Sequence, residues 1–156
     1  MTKLQHILIP IDGSESALKA VSFGGTLASL LNAQVTVLLV QDERSVVAKA
    51  WNTPAGVSNI GSPQGSAEEA RSAIEQAALE NEFTDARAAL GETSAGVNIA
   101  QIWGHPARDI CRYAKENDVD LIVMGSHGRT GLKKLLLGSV SHAVVNTAAC
   151  AVTIIR

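Results

Sequence analysis

The sequence predicts a three-layer α/β sandwich built on a five-stranded parallel sheet. Three observations lead there. Apolar runs of strand length alternate with stretches of helical period along the whole chain. Most of the runs are nearly continuous in apolar residues, as strands buried on both faces are. No internal repeat or low-complexity tract interrupts the pattern, which reads (βα)4β and implies right-handed crossovers. At 156 residues, 46% hydrophobic and 18% charged, the chain suits one domain spanning 1–156.

The elements follow in order. Residues 4–12, LQHILIPID, hold Leu4, Ile7, Leu8, Ile9 and Ile11 in a run expected to form a central strand. Ala17, Leu18, Val21, Ala28 and Leu31 then recur at helical spacing, with Gly24 and Gly25 on or beside that stripe, where small residues let a helix approach a sheet. Gln34 to Val40 is β-branched and apolar, ends in QDER, and reads as a second strand. From about 45 to 66 the periodicity disappears among Asn52, Pro54, Gly56, Gly61, Pro63 and Gly65, so a mobile loop within the domain is expected. Ala70, Ala73, Ile74, Ala77 and Ala78 mark a long Ala-rich helix, and Gly96 to Trp103 alternates into a third strand. Pro106 suits the first turn of a helix with inner face Ile110, Cys111 and Ala114. Asp120 to Met124 reads as the fourth strand. Val140, Ala143, Val144 and Thr147 form a short helix face, and Ala151 to Ile155 makes the fifth strand.

Charge and composition exclude several classes of partner. Thirteen Lys and Arg against fifteen Asp and Glu give a net charge of -2, which offers no positive field for nucleic acid or an anionic membrane. No apolar run reaches about 18 residues, and the start MTKLQHILIPIDGS lacks a signal-peptide pattern. Cys111 and Cys150 have no CxxC spacing, which suits a reducing compartment, so a cytoplasmic protein is expected.

In an open α/β sheet, ligands bind beyond the carboxyl ends of the strands where strand order reverses. Two turns stand out. Pro10 to Ser16 carries Asp12 at the end of the first strand. Gly125 to Ser139, GSHGRTGLKKLLLGS, combines glycines, hydroxyls and cations. The order 3-2-1-4-5 would make these turns face each other. Asp12 has two readings, a helix N-cap in a capping box with Glu15 or a ligand contact. In the second turn, Gly125 and Gly128 open the loop and Gly138 with Ser139 starts the last helix, where free amides and the dipole form an anion site. Glycine leaves room for phosphate oxygens, so a valine at 125 or 138 is expected to abolish binding and spare the fold. Arg129 is the cation best placed to meet a phosphate.

Other chemistries lack support. Neither GxxxxGK[ST] nor GxGxxG occurs. His6, His105, His127 and His142 form no HExxH pair, and a structural or surface role is expected for them, with His127 set apart by its loop. No GxSxG elbow accompanies a serine, and Cys111 sits on an apolar helix face.

The spacing Gly125, two residues, Gly128, nine residues, Gly138–Ser139 closely resembles the ATP-binding branch of the universal stress protein family. The likeness extends from ILIPIDGSESALKA through GHPARDICRYAKENDVDLIVMGSHGRTG to the last strand. It implies a Rossmann-like fold related to the adenine nucleotide alpha hydrolases, with sheet order 3-2-1-4-5 and ATP, or another adenine nucleotide, across the crevice. By position, Pro10 and Asp12 match the adenosine-contacting first turn and Val40 a residue touching adenine. Gly125, Gly128, Gly138 and Ser139 match the ribose and phosphate cradle, with Ser126, His127 and Arg129 inside its loop. The resemblance also implies a homodimer built on the C-terminal strand. Two departures stand out: Ala151 where many relatives have proline, and a stretch from 45 to 65 that follows no family pattern.

Three functions are weighed. The leading one is an ATP-binding regulatory dimer of the stress response. The second is a slow ATPase or phosphotransferase with Asp12 as a candidate Mg2+ contact and His127 or Arg129 near the phosphates. It is disfavoured because no residue stands out as a base or phosphate acceptor. The third, a nucleotide-free dimeric interaction module, is disfavoured by the four motif residues.

Overall fold

The computed structural model describes residues 4–42, 67–91, 97–128 and 137–156. Its elements run β1 (His6–Ile11), α1 (Glu15–Leu31), β2 (Gln34–Gln41), α2 (Ala67–Leu90), β3 (Val97–Trp103), α3 (Pro106–Glu116), β4 (Leu121–Gly125), α4 (Ser139–Thr147) and β5 (Ala151–Ile155). The five strands form one parallel sheet in the order β3-β2-β1-β4-β5, the expected architecture. The expected loop at 45–66 lies outside the described residues, as do residues 43 and 44 before it.

Alternation along the strands divides the core into two layers. Ile7, Ile9 and Ile11 of β1 face α1 and α2, where they meet Ala17, Ala20, Val21 and Ala28 of α1 with Ala86 and Leu90 of α2. Leu8 faces the opposite layer, with Leu38, Ile122, Ile110 and Ala114 of α3, and Val144 of α4. Because both faces are covered, the strands need no polar side, and this is why they read as continuous apolar runs. The α1 stripe includes Gly24 and Gly25, both buried. A Cβ on Gly24 would stand 2.6 Å from Ile9 Cδ1, and one on Gly25 would stand 2.9 Å from Leu90 Cδ2. Both glycines permit the close approach that the sequence suggests.

Some local assignments shift. Asp120 precedes β4 rather than opening it, and its carboxylate accepts from the amides of Gln5 (2.8 Å) and His6 (3.0 Å). On α4 the buried positions are Ser141 and Val144, while Thr147 is exposed. His6 is structural, as expected: its ring bridges the Asn117 carbonyl and the Thr36 hydroxyl.

The start of α3 depends on a charge that periodicity does not reveal. Asp109 is fully buried, and its carboxylate accepts from the His105 amide (2.6 Å) and twice from the Arg108 guanidinium (3.0 Å each). Arg112 pairs with the same carboxylate at 3.2 Å. A Cβ on Gly104 would overlap the Asp109 carboxylate, so glycine is needed there to admit it. The Arg108 hydrogen bond is the largest influence holding the carboxyl below its ordinary pKa, with the His105 amide and the two guanidinium charges adding to it against the cost of burial.

A depressed folded-state pKa gives stability that is complete above the unfolded value, about 3.9, and lost as pH falls through the folded one. Asp109→Asn should therefore cost about 1–3 kcal/mol at neutral pH, the range for losing a charge-assisted buried hydrogen bond. The difference from wild type should narrow as pH drops below about 4. Urea denaturation at pH 7, 5 and 3.5 measures it, and a gap that widens toward acid would contradict the assignment.

Candidate functional site

Strands β1 and β2 stay in register as far as Ile11↔Leu39, whereas β1 pairs with β4 only at Ile7↔Leu121 and Leu8↔Ile122. Beyond Leu8 the two ladders separate, and a crevice opens at the point where strand order reverses. Its volume is about 340 Å3, within the range of small-molecule sites.

The crevice gathers Pro10, Asp12, Val40, Gly125, His127, Gly128, Gly138 and Ser139 on its walls, eight of the ten residues singled out in the sequence. Ser126 is not on the wall. It is 2% exposed and lies behind it, where its carbonyl accepts from the Gly138 amide (2.8 Å) and the Ser141 hydroxyl (3.0 Å). The Ser126 hydroxyl also bonds His127 Nδ1 at 2.8 Å, which orients the ring of its neighbour. Arg129 lies outside the described residues, as do Lys133 and Lys134.

The structure corrects the capping-box reading of Asp12. Ser14 is the N-cap of α1, its hydroxyl accepting from the Ala17 amide at 3.2 Å. Asp12 lies two residues earlier and accepts from the Ser14 amide at 3.0 Å, an Asx-type turn that aims the chain into the helix. Its other carboxylate oxygen would be 2.8 Å from a Cβ on Gly128, so the first turn and the glycine loop meet across the crevice.

They are also tied together. The His127 carbonyl accepts from Ser16 Oγ (2.5 Å) and Ser14 Oγ (3.3 Å). A Cβ on Gly125 would meet Ser16 Oγ at 2.5 Å, the Ser16 carbonyl carbon at 2.8 Å and the Ala17 amide nitrogen at 2.9 Å. One on Gly138 would press on the Ser126 carbonyl at 3.3 Å. These glycines admit protein backbone, so the expectation that valine at 125 would spare the fold is corrected.

The two helix starts at the crevice differ in capping. Ser14 caps α1, but α4 begins at Gly138, which has no side chain to engage its first-turn amides. That end of α4 offers backbone N–H groups and the positive end of a dipole. Among the described residues no group of three or more His, Cys, Asp or Glu could hold a metal ion.

Among the further wall residues that the sequence did not single out are the polar Ser14, Gln41, Asp42, Glu82 and Ser141. For Glu82 a signal existed. It stands in the four-residue row Ile74, Ala78, Glu82, Ala86, Leu90, a carboxylate on an apolar stripe, and is 7% exposed.

Fold and site together define an open parallel-sheet α/β protein with an anion-compatible crevice at the switch point. The chain belongs to the universal stress protein family, whose model matches residues 3–156. It is 33% identical over 150 residues to universal stress protein YxiE of Bacillus subtilis, covering 96% of this chain and 97% of that one. The solved structure of MJ0577, a Methanocaldococcus jannaschii universal stress protein, superposes with a TM-score of 0.72 at 27% identity, covering 99% of this chain and 96% of that one. The fold is shared with an Archaeoglobus fulgidus universal stress protein in complex with dAMP, at TM-score 0.61 and 21% identity, covering 99% of this chain and 100% of that one. It is also shared with a universal stress protein in complex with cAMP, at TM-score 0.64 and 23% identity, covering 99% of this chain and 98% of that one.

Because backbone atoms of α1 cannot retreat cheaply, Gly125→Ala should destabilise the protein by about 1–3 kcal/mol, the range for overpacking. Equilibrium unfolding in urea gives the value. Wild-type stability in this variant would mean that Gly125 is reserved for a ligand alone.

Proposed function

We propose that the chain binds an adenine nucleotide, ATP in the first instance, across this crevice and acts as a nucleotide-dependent regulatory dimer in the stress response. The observation that carries the reading is the uncapped start of α4, opening into a crevice at the switch point of the sheet. In this reading Gly128, Gly138 and Ser139 receive the phosphates beside His127. Gly125 and Ser126 hold that loop in place. Pro10 and Val40 flank the base, and Arg129 supplies a cation to the phosphates. The complexes of relatives with dAMP and cAMP support an adenine nucleotide as occupant.

Asp12 fits Mg2+ in the manner usual for nucleotide sites, where one carboxylate and the phosphates share an ion that keeps several waters. Bound there, the ion would neutralise phosphate charge. The reading assigns no hydrolytic step to the chain. Regulation requires only that the nucleotide bind one conformation or assembly better than another.

The dimer is proposed through β5, an edge of the sheet. The Ile155 carbonyl accepts from the Ser126 amide (2.7 Å), so by the period of two, the amides of Val152 and Ile154 face the open edge. Light scattering that finds only monomer at micromolar concentration would remove the dimer from the reading.

Ser139→Glu tests the phosphate end. A carboxylate in the first turn of a helix favours the dipole, so the melting temperature should hold or rise slightly. In the crevice it repels phosphate, and ATP affinity by calorimetry should fall at least about tenfold. Unchanged affinity would move the phosphate site elsewhere. Asp12→Asn keeps an acceptor for the Ser14 amide, so stability should change by less than about 1 kcal/mol. Its ATP affinity should fall by about ten- to a hundredfold with Mg2+ present and much less without it. Equal losses in both conditions would assign Asp12 to the nucleoside instead of the metal.

A further inference from the structure

The start of α4 is held by one carbonyl. Ser126 is 2% exposed and is fixed to the sheet, its amide donating to the Ile155 carbonyl of β5 at 2.7 Å. Its own carbonyl accepts from the Gly138 amide at 2.8 Å and from the Ser141 hydroxyl at 3.0 Å. Residues 138 and 141 stand about one helical turn apart, so the two bonds reach the same oxygen from the cap and from the end of the first turn. One bond alone would let the helix start pivot about that oxygen. A second, one turn along the helix, restricts the rotation.

That rotation decides where the crevice offers its donors. The ladder within α4 opens with the His142 amide donating to the Gly138 carbonyl at 2.8 Å, so the amides of Ser139, Val140 and Ser141 have no acceptor inside the helix. All three residues line the crevice. The Gly138 amide is spent on Ser126, and Gly138 contributes space instead. Hydrogen bonds weaken steeply with misalignment, so a small turn of this end of α4 would weaken several bonds to one anion together.

The Ser141 hydroxyl is also surplus to local satisfaction. It lies 3.0 Å from the Gly138 carbonyl as well, and its single proton serves one carbonyl at a time. Without it the Ser126 carbonyl keeps the Gly138 amide, and the Gly138 carbonyl keeps the His142 amide. Deleting the hydroxyl therefore orphans neither acceptor.

We infer that Ser141 is a positioning residue of the crevice, whose hydroxyl, bound to the Ser126 carbonyl, sets the angle at which the first turn of α4 meets the phosphates of a nucleotide. The inference rests on the nucleotide reading above.

Calorimetric titration of ATP into the full chain, Ser141→Ala and Ser141→Thr tests it, with the same Mg2+ throughout and adenosine affinity measured by displacement of ATP. In Ser141→Ala the ATP affinity should fall about five- to tenfold, the loss expected for one neutral hydrogen bond. Adenosine has no phosphates, and its affinity should change by less than about twofold. The melting temperature should stay within about 3 °C of wild type, because alanine favours helix and no acceptor is orphaned. Ser141→Thr keeps a hydroxyl and should return ATP affinity to within about threefold of wild type.

Unchanged ATP affinity in Ser141→Ala overturns the inference. Equal losses for ATP and adenosine overturn it too, since the hydroxyl would then shape the whole crevice. So does a Ser141→Ala protein that melts far below wild type or does not fold, which would make the hydroxyl a support of the fold. A folded Ser141→Thr that binds ATP no better than Ser141→Ala has the same force. Should Ser141→Thr not fold, the split between ATP and adenosine in Ser141→Ala decides alone. Failure of wild type to bind either ligand defeats the nucleotide reading as well, whereas ATP binding indifferent to the hydroxyl defeats only the role of Ser141.

Discussion

The contact between the end of β4 and the first turn of α1 governs the shape of the crevice. With only two paired positions between β1 and β4, the sheet does not itself hold their carboxyl ends together. Gly125 closes the gap by letting the backbone of Ser16 and Ala17 come within a distance that any Cβ would forbid. The Ser16 and Ser14 hydroxyls then bind the His127 carbonyl, so the loop after β4 is anchored to the helix after β1. A crevice bounded by two separate strand ends thereby acquires a fixed width.

Anchoring has an electrostatic consequence. The start of α1 is occupied by its own serine, while that of α4 is left to glycine. Two helix dipoles point into the same region, but the uncapped start of α4 leaves its first-turn amides without a cap from its own N-cap side chain. Ser126 supports that end from behind, since its carbonyl receives both the Gly138 amide and the Ser141 hydroxyl. The end of β4 and the start of α4 are thereby tied together, which favours a preformed phosphate site.

On the far wall, α3 is held by a different device. Asp109 satisfies the His105 amide and draws Arg108 and Arg112 to one buried carboxylate, with Gly104 making space for it. Pro106 and Ile110 of the same helix line the crevice, so this ion cluster fixes one of its walls without touching its interior. Removing a partner would leave buried charge uncompensated, which is why the cluster bears on stability more than on binding.

Element order and sheet direction were legible from residues alone because each depends on local periodicity. The apolar run Ile7 to Ile11 and the stripe Ala17, Val21, Ala28 are set by whether a side chain must face one layer or another, and that repeats every two or 3.6 residues. The glycine spacing from Gly125 to Ser139 marked the right turn for the same reason, since backbone conformation and close approach favour glycine wherever they occur. Tertiary structure decided which of these residues meet. Ser14 rather than Asp12 caps α1, Gly125 admits a helix backbone, and Ser126 stands behind the wall. Glu82 lines the crevice because α2 packs beside α1, and Asp109 is buried because Gly104 leaves room for its carboxylate. Such contacts depend on the packing of elements far apart in sequence, and periodicity within a single element carries no record of its neighbour's side chains.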